Sequence, residues 1–299
     1  MSWEDTFRTW GAAPSATEQQ KMENAETAVR KAIDANARLS AMDITIIPQG
    51  SYKARTNVRL DSDVDICVRL NSTFFARYPE GKTREDFGNS EGSITFREYR
   101  NLVQTALNNY FGSANVTPGN KAFDIHSNSY RVDADVVPAL AYRYYYDNGG
   151  YNYIEPVGTA FLYGGDGHRI INWPHQSYEN GHYKHKRTGE RFRKMVRIVK
   201  RLRNKMQDER IAAARDIGSF LIESMVWNAP DGHFNHTDYH DDVRAMLAYC
   251  FNETLPKGSH ASLCEVNDKK YLYGSHQKWT REQAHTFFSA AWDYIGFKD

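Results

Sequence analysis

The first part of the chain alternates helical and extended patterns of apolar residues. Ser15 and Glu18 form a capping-box pattern, and the apolar residues after them recur at helical spacing. Residues 43–48 (DITIIP) are apolar and β-branched, which predicts a buried strand. A turn is expected at Gly50 and Ser51, and residues 64–70 (VDICVRL) alternate like a half-buried strand.

The same patterns continue toward the middle of the chain. Thr95 and Glu98 form a second capping-box pattern, which predicts a helix that ends at Gly112. Two extended segments follow, around 121–126 and over 130–137, and a proline ends the second. We therefore expect a mixed sheet covered by helices in this part of the chain.

After about residue 160 the pattern becomes helical. A basic amphipathic helix with a continuous apolar stripe is expected first, and three more helices follow. The four predicted helices span 190–206, 217–227, 241–252 and 281–295. We predict an α+β fold in two domains, a core over 1–160 and a helical lobe over 161–299, with the active site in the cleft between them.

The composition restricts the classes of protein to which this chain can belong. Hydrophobic residues make up 40% and charged residues 25% of the 299 residues, as in an ordinary globular protein. No segment reaches the roughly 18 apolar residues of a membrane helix, and the acidic N-terminus is unlike a signal peptide. Three scattered cysteines favour a reducing cytoplasm. The net charge of +1 provides no general attraction for nucleic acid, although local basic patches remain possible.

Two acids in the second predicted strand point to metal chemistry. Asp63 and Asp65 are two residues apart, so their carboxylates lie on one strand face, roughly 6–7 Å apart. Like charges at that distance resist joint ionisation unless a cation binds them, and magnesium suits oxygen ligands and phosphates. Asp61 falls on the same face, but its position favours a loop or strand-end role.

A third acid and a small-residue turn complete this pattern. The segment RVDADVVP provides Asp133 and Asp135 on one strand face, either of which can supply a further ligand. Gly50 lets the backbone approach a phosphate, and Ser51 offers a hydroxyl and an N–H donor. Metal-dependent phosphoryl transfer requires such a set of groups. Solvated acids on an exposed sheet face are the alternative for each acid taken singly.

These residues resemble a known signature. Gly50 and Ser51, the Asp63-Val64-Asp65 triplet and Asp135 before Val-Val-Pro are similar to the motifs of polymerase β-like nucleotidyltransferases. Gln49, the basic helix RFRKMVRIVKRLRNKM and the segment IGSFLIE narrow the resemblance to the cGAS/DncV-like nucleotidyltransferases of bacterial anti-phage signalling. The resemblance covers nearly the whole chain, roughly residues 15 to 295.

The resemblance implies a function and its partners. Members of this family use magnesium, for which manganese can substitute, to join nucleoside triphosphates into cyclic di- or trinucleotides. The product activates a separate effector protein. Neither a membrane partner nor, on balance, a nucleic-acid activator is expected.

The resemblance also assigns residues. Asp63, Asp65 and Asp135 are the implied metal ligands. The implied nucleotide-binding residues are Gln49, Gly50, Ser51, Asn172, Lys200, Ser219 and Phe220. The chain departs from the family pattern at 54–56, where Ala-Arg-Thr stands in place of the usual Gly-Thr, so the phosphate loop carries a cation.

Several of these residues have simpler alternatives. Lys200 lies in a run of basic residues that we otherwise expect to form a solvated helix face. Ser219 can instead cap a helix, and Phe220 can belong to the core. Asn172 can be a turn residue, but family resemblance associates an asparagine in this region with pyrimidines and so suggests uridine triphosphate as a substrate.

A histidine-rich segment offers a second metal hypothesis. His233, His236 and His240 are followed by Asp241, a composition that suits zinc. The segment is strongly polar and has no nearby cysteine, so a flexible surface loop is the preferred interpretation.

Two competing functions use the same residues. A linear, template-independent nucleotide-adding enzyme requires the same three acids, but a strongly basic RNA groove is then expected and the net charge is balanced. A non-catalytic nucleotide- or RNA-binding module is the other alternative. The complete acid set disfavours it.

Overall fold

The four predicted strands pair with three others in one mixed sheet. We describe residues 2–58, 63–257, 259–275 and 277–297 in a computed structural model. The strands are β1 Ile44–Gln49, β2 Val64–Arg77, β3 Val116–Pro118, β4 Phe123–Ile125, β5 Ala134–Tyr144, β6 Gly158–Leu162 and β7 Arg169–Asn172. Their order is β1-β2-β5-β4-β3, and β6 pairs with both β5 and β7. Among the described strands, only β2 and β5 run parallel to each other, while the other pairs are antiparallel.

Helices account for most of the remaining structure. They are α1 Trp3–Trp10, α2 Ala16–Asp34, α3 Ala37–Ser40, α4 Gly50–Ala54, α5 Phe96–Phe111, α6 Pro174–Arg187, α7 Phe192–Asp208, α8 Ser219–Asn228, α9 Tyr239–Glu253 and α10 Arg281–Ile295. The predicted α+β fold with a C-terminal helical lobe is confirmed. None of the described helices is long and apolar enough to cross a membrane.

The chain divides into two compact units. The sheet unit comprises Ser15–Lys53 and Ser62–His175, and the helical unit comprises Met1–Pro14, Ala54–Asp61 and Gln176–Asp299. The sheet thus extends past residue 160 to β7, and a short segment after α4 groups with the helices. The domain boundary near residue 160 stays a prediction.

In the sheet unit, α2 and α5 cover one face of the sheet. Both capping boxes form as predicted, at Ser15 with Glu18 and at Thr95 with Glu98. The apolar face of α2 is buried, and so is Tyr99 of α5, whose hydroxyl donates to the Val68 carbonyl of β2 at 3.0 Å. Local capping and helical periodicity therefore place these helices correctly.

Two strand predictions need correction. The predicted buried strand β1 is only half-buried, because it pairs on one edge alone, with β2. Pro138 was expected to end its strand, but β5 continues through it to Tyr144. Strands β4 and β6 pair with the same edge of β5, where the pairing with β4 ends at Val136 and the pairing with β6 begins at Leu140. Pro138 lies between these two pairings, so its missing N–H is tolerated on that edge.

The helical unit is built around α7. The apolar stripe predicted for this helix is fully buried, and it packs with residues of α8, α9 and α10 in one core cluster. Sequence analysis missed α1, which has a Ser2–Asp5 capping box and buries Phe7 completely. It also missed α6, whose buried residues are polar or small (Gln176, Gly181 and Lys184) and so give no apolar periodicity.

Candidate active site

Four polar residues lie opposite one another across neighbouring strands. Asp65 of β2 pairs in register with Gln49 of β1 and with Asp135 of β5, and Asp135 pairs with Asp124 of β4. Residues directly opposite one another project from the same face of a sheet. Asp63 immediately precedes β2 and lies two residues before Asp65. The sheet therefore brings the three predicted acids together, with Gln49 beside them.

The carboxylates in this row affect one another. Burial raises the pKa of Asp135 above its usual value, and the nearby charges of Asp124, Asp63 and Asp133 raise it further. A hard divalent cation removes this conflict, and it takes only oxygen ligands of the kind these side chains offer. The residues present therefore fit a divalent metal ion.

The structure distinguishes the two acids near the start of β5. Asp133 precedes the strand, and its Oδ1 accepts a hydrogen bond from the Ser127 backbone N–H at 2.6 Å. Asp135 lies in the strand beside Asp65. Asp124 was missed as a candidate, because its strand Phe123–Ile125 has only three residues. Asp61 lies outside the described residues.

Gly50 allows the Asp65 carboxylate to approach the backbone closely. Gly50 begins the short helix α4 instead of the predicted turn, and its φ is +62°. A Cβ at this position would lie 1.9 Å from the Asp65 Oδ2, so no other residue fits without moving the acid. Ser51 follows in the same helix, and the Tyr52 hydroxyl donates to Glu26 of α2 at 3.2 Å, which fixes α4.

We expect Gly50→Ala to reduce activity roughly 100-fold, because displacing Asp65, a predicted metal ligand, by about 1 Å is enough for such a loss. The matched control is Gly81→Ala, since Gly81 also has a positive φ (+74°) but its Cβ would meet nothing within 4 Å. Both variants carry the backbone strain of alanine at positive φ, about 1 kcal/mol. Thermal unfolding measures the backbone strain that both variants share. Steady-state product formation measures the further loss that displacement of the Asp65 carboxylate causes. Equal activity in the two variants contradicts this role of Gly50.

In the helical unit, Lys200 belongs to a buried polar network. Its Nζ donates to the Thr56 carbonyl at 3.2 Å, the Thr56 hydroxyl at 3.3 Å and the Glu223 Oε2 at 3.2 Å. All three residues are at most 6% exposed. Burial lowers the pKa of Lys200, and Glu223 partly offsets this effect. The three donors of the ammonium thus have internal partners, and phosphate binding by Lys200 stays a prediction.

The basic run of α7 is less solvated than expected. Arg197 is 6% and Arg203 8% exposed. Arg197 donates from Nε to the Gly11 carbonyl at 2.9 Å, and Arg203 donates to the Ile217 carbonyl. The prediction of a solvated face is therefore wrong for these side chains, because backbone carbonyls of neighbouring segments accept their hydrogen bonds.

Ser219 and Phe220 lie at the beginning of α8. Gly218 occupies the N-cap position, so the alternative capping role of Ser219 is wrong. The Ser219 hydroxyl accepts a hydrogen bond from Arg203 Nη2 at 3.0 Å. Phe220 is 37% exposed, which excludes the alternative core role and leaves its ring accessible. Nucleotide binding by both residues stays a prediction.

Asn172 ends β7 and is not a turn residue. It pairs with Thr159 of β6, and the Thr159 hydroxyl donates to its carbonyl at 3.5 Å. The neighbouring Trp173 is 4% exposed and packs edge-on against Tyr142, with ring centroids 5.8 Å apart. Trp173 therefore anchors the strand end. It is a core residue.

The histidine-rich segment is more ordered than predicted. Asp242 is fully buried and accepts from the His236 backbone N–H at 3.0 Å, and it pairs with Arg191. Asp238 caps α9. The segment is thus hydrogen-bonded and is not the flexible loop that we predicted. Ligand atoms of Asp238, His240 and Asp241 lie within 4.8 Å of one another, a grouping that exposed acids often form without a metal.

Comparison with known proteins agrees with the fold. Residues 179–296 match a family model of the cGAS/DncV-like nucleotidyltransferase C-terminal helical domain. The chain is 42% identical to a cyclic dipyrimidine nucleotide synthase CdnE of Legionella pneumophila, over 99% of this chain and 98% of that protein. It is 38% identical to a protein of the same name from Cecembia lonarensis, over 98% of each.

Among solved structures, the CdnE cyclic UMP-AMP synthase of Rhodothermus marinus with Apcpp and Upnpp has a TM-score of 0.86 and 26% identity. The match covers 99% of this chain and 98% of that chain. The chain is thus similar to these proteins over its full length, in sequence and in structure, and its sheet brings the row of acids together. The chain therefore belongs to the cGAS/DncV-like nucleotidyltransferases and is an enzyme of that family, a nucleotidyltransferase of the cyclic nucleotide synthase type.

Proposed function

We propose that the enzyme joins nucleoside triphosphates into a cyclic di- or trinucleotide and releases pyrophosphate, with magnesium bound by Asp63, Asp65 and Asp135. The observation that carries the proposal is the pairing of Asp65 with Asp135 in the parallel ladder, with Asp63 next to them. Carboxylate oxygens on a single sheet face form a donor set suited to magnesium, and manganese can replace it.

The chain's own residues position the substrates. The three carboxylates hold the metal, and Gly50 keeps the start of α4 close to Asp65 so that the Ser51 hydroxyl and N–H can donate to a phosphate. Phe220 offers an accessible ring, and stacking on a base contributes ~1–3 kcal/mol. Magnesium, when bound, neutralises the triphosphate and lowers the pKa of the attacking hydroxyl.

Incubation of the enzyme with labelled nucleoside triphosphates and magnesium tests the proposal. A cyclic product has no terminal phosphate, so the label in it resists phosphatase. Product that loses terminal phosphates to phosphatase, and so falls in mass, favours the linear nucleotide-adding alternative. Absence of turnover with either magnesium or manganese favours the non-catalytic binding module.

The biological part of the proposal concerns the product. We place the enzyme in the cytoplasm as the source of a second messenger in anti-phage defence, where a separate effector protein binds the cyclic nucleotide. The proposal rests on membership of the family. It predicts that the purified product, without the enzyme, activates the effector.

We further propose that uridine triphosphate is a substrate and that Asn172 contributes to its selection. The Asn172 carboxamide can donate to O4 of uracil and accept from N3–H, and the paired end of β7 holds its backbone in place. The names of the 42% and 38% identical relatives, dipyrimidine synthases, support this choice. A site built to pair with one base rejects others, because its own polar groups would be left unsatisfied.

In competition assays with all four triphosphates, we expect uridine in at least one position of the wild-type product. Asn172→Ser is expected to shift incorporation toward purines, because serine lacks the amide that pairs with uracil. Asn109→Ser, on the exposed side of α5, is the control and should keep the wild-type ratio. A wild-type product with adenosine and guanosine alone excludes this role of Asn172 and leaves the acids unaffected.

A further inference from the structure

The buried side chain of Arg197, on α7, fastens two backbone segments of the helical unit. Its Nε donates to the carbonyl of Gly11, the residue after α1, at 2.9 Å. Its Nη1 donates to the carbonyl of Arg55, the residue after α4, at 2.6 Å. Burial, aided by the charge of Arg193, lowers the pKa of Arg197 to about 10, so the guanidinium is still charged at neutral pH.

The backbone of Arg55 adopts a conformation that costs free energy. Its φ is +57°, in the left-handed region that residues with a Cβ seldom occupy. Such a conformation persists only where surrounding contacts hold it. The hydrogen bond from Arg197 to the Arg55 carbonyl is such a contact, and a charged donor makes it stronger than a neutral one. Arg197 thus offsets the cost of the Arg55 backbone.

The next residue, Thr56, is held as firmly as Arg55. It is fully buried, its hydroxyl donates to Glu223 of α8 at 2.6 Å, and its carbonyl accepts from Lys200 at 3.2 Å. Lys200 lies three positions after Arg197 on α7, so the two side chains emerge from one side of that helix. Three buried charged side chains therefore fix the backbone of two consecutive residues.

The helix before this segment, α4, has five residues and changes units along its length. The chain leaves the sheet unit at Lys53 and enters the helical unit at Ala54. Within the sheet unit, the Tyr52 hydroxyl donates to Glu26 at 3.2 Å. Within the helical unit, the contact to Arg55 comes from Arg197. A helix this short has few contacts of its own, so its orientation depends on what holds each end.

We propose that Arg197 is a positioning residue for nucleotide binding. By holding the Arg55 carbonyl, it keeps α4 in the orientation in which Ser51 can donate to a phosphate, so this role rests on the proposed function. Arg197 acts without touching the substrate, because it raises the fraction of enzyme molecules in which α4 is ready to bind. The apparent affinity for the nucleotide falls in proportion to that fraction.

The steady-state constants of Arg197→Met test the proposal. We expect the KM for nucleoside triphosphate to rise roughly tenfold, the contribution of one charge-assisted hydrogen bond, while kcat stays within about threefold. A purely structural role lowers the number of folded molecules instead, which lowers kcat and leaves KM unchanged, and that result overturns the proposal. If Arg197→Met does not fold, Arg197→Lys carries the same test, with an expected rise in KM of roughly threefold, since an ammonium lacks the planar fork.

Substitution of Arg55 by glycine shows whether Arg197 acts through the Arg55 backbone. Glycine adopts a positive φ without the steric cost, so in Arg55→Gly the segment depends less on Arg197. Relative to Arg55→Gly alone, we expect the added Arg197→Met to raise KM about threefold or less. Arg210→Gly is the matched control, because Arg210 is an exposed arginine of the same unit with a φ of +60°. In that background the tenfold rise should remain, and equal rises in both glycine backgrounds overturn the proposal.

Hydrogen exchange of the ligand-free enzyme separates this proposal from the proposed function. Arg197→Met should speed exchange of the backbone amides of residues 50–56, and the increase should be smaller in the Arg55→Gly background. This pattern in an enzyme that makes no cyclic product leaves the role of Arg197 in holding α4 standing and overturns the proposed function. Cyclic product from Arg197→Met with unchanged exchange and unchanged KM overturns the role of Arg197.

Discussion

Replacement of Asp63 or Asp65 by Asn is expected to reduce product formation roughly 1000-fold or more. Each substitution removes a charged group that we propose as a metal ligand, and loss of such a ligand costs several kcal/mol of transition-state stabilisation. Asn keeps the size of the side chain, and Asp65 lies in a paired strand whose backbone hydrogen bonds do not depend on its carboxylate. The measurement is the initial rate of cyclic product formation at saturating magnesium and nucleotide.

The control for this loss is Asp34→Asn, at the exposed end of α2, which removes the same charge from the same unit. It should keep wild-type activity. The unfolding temperatures of Asp63→Asn and Asp65→Asn should equal or exceed that of the wild type, since neutralising one acid in a row of like charges removes repulsion. Activity above about a tenth of wild type in both variants contradicts the assignment of these two ligands.

The predictable parts of the fold are those that neighbouring residues determine. The capping boxes at Ser15 and Thr95 and the apolar periodicity of α2, α5 and α10 gave helix positions close to those observed. In such helices the residues that fix the ends lie within a single turn of one another. Similarly, the two-residue spacing of Asp63 and Asp65 needs only strand periodicity to put both on one face.

The parts that could not be predicted depend on distant residues. Pro138 is tolerated because of where β4 and β6 stop pairing with β5, and no local pattern contains that information. The Lys200 ammonium donates to Thr56, which is 144 positions away in the sequence. A basic residue beside an apolar stripe is compatible with either a solvated or a buried side chain until its partners are known.

The same distinction applies to the active site. Family motifs identified Asp65 and Asp135, but only the observed register puts Asp135 directly opposite both Asp65 and Asp124. Asp124 belongs to a strand of three residues, Phe123–Ile125, too short to give a periodic signal. Its contribution to the electrostatics of the row therefore emerges only when the strand order is known.

Asp135→Asn is expected to reduce activity roughly 1000-fold, as for the other two proposed ligands, while Asp133→Asn is not. The Asp135 carboxylate lies beside Asp65 in the parallel ladder. Asp133 instead accepts the Ser127 backbone N–H at 2.6 Å. The amide oxygen of Asn can accept the same hydrogen bond, so Asp133→Asn should keep both the loop and the activity.

The comparison of these two variants is sharp because they make the same chemical change two residues apart on the same segment. An Asp133→Ala variant adds a second test, since alanine cannot accept the Ser127 hydrogen bond. We expect it to lower the unfolding temperature, by the loss of about 1 kcal/mol, and still to keep most of the activity of the folded enzyme. Loss of turnover in Asp133→Asn with turnover retained in Asp135→Asn would move the third ligand to Asp133, at the start of the strand.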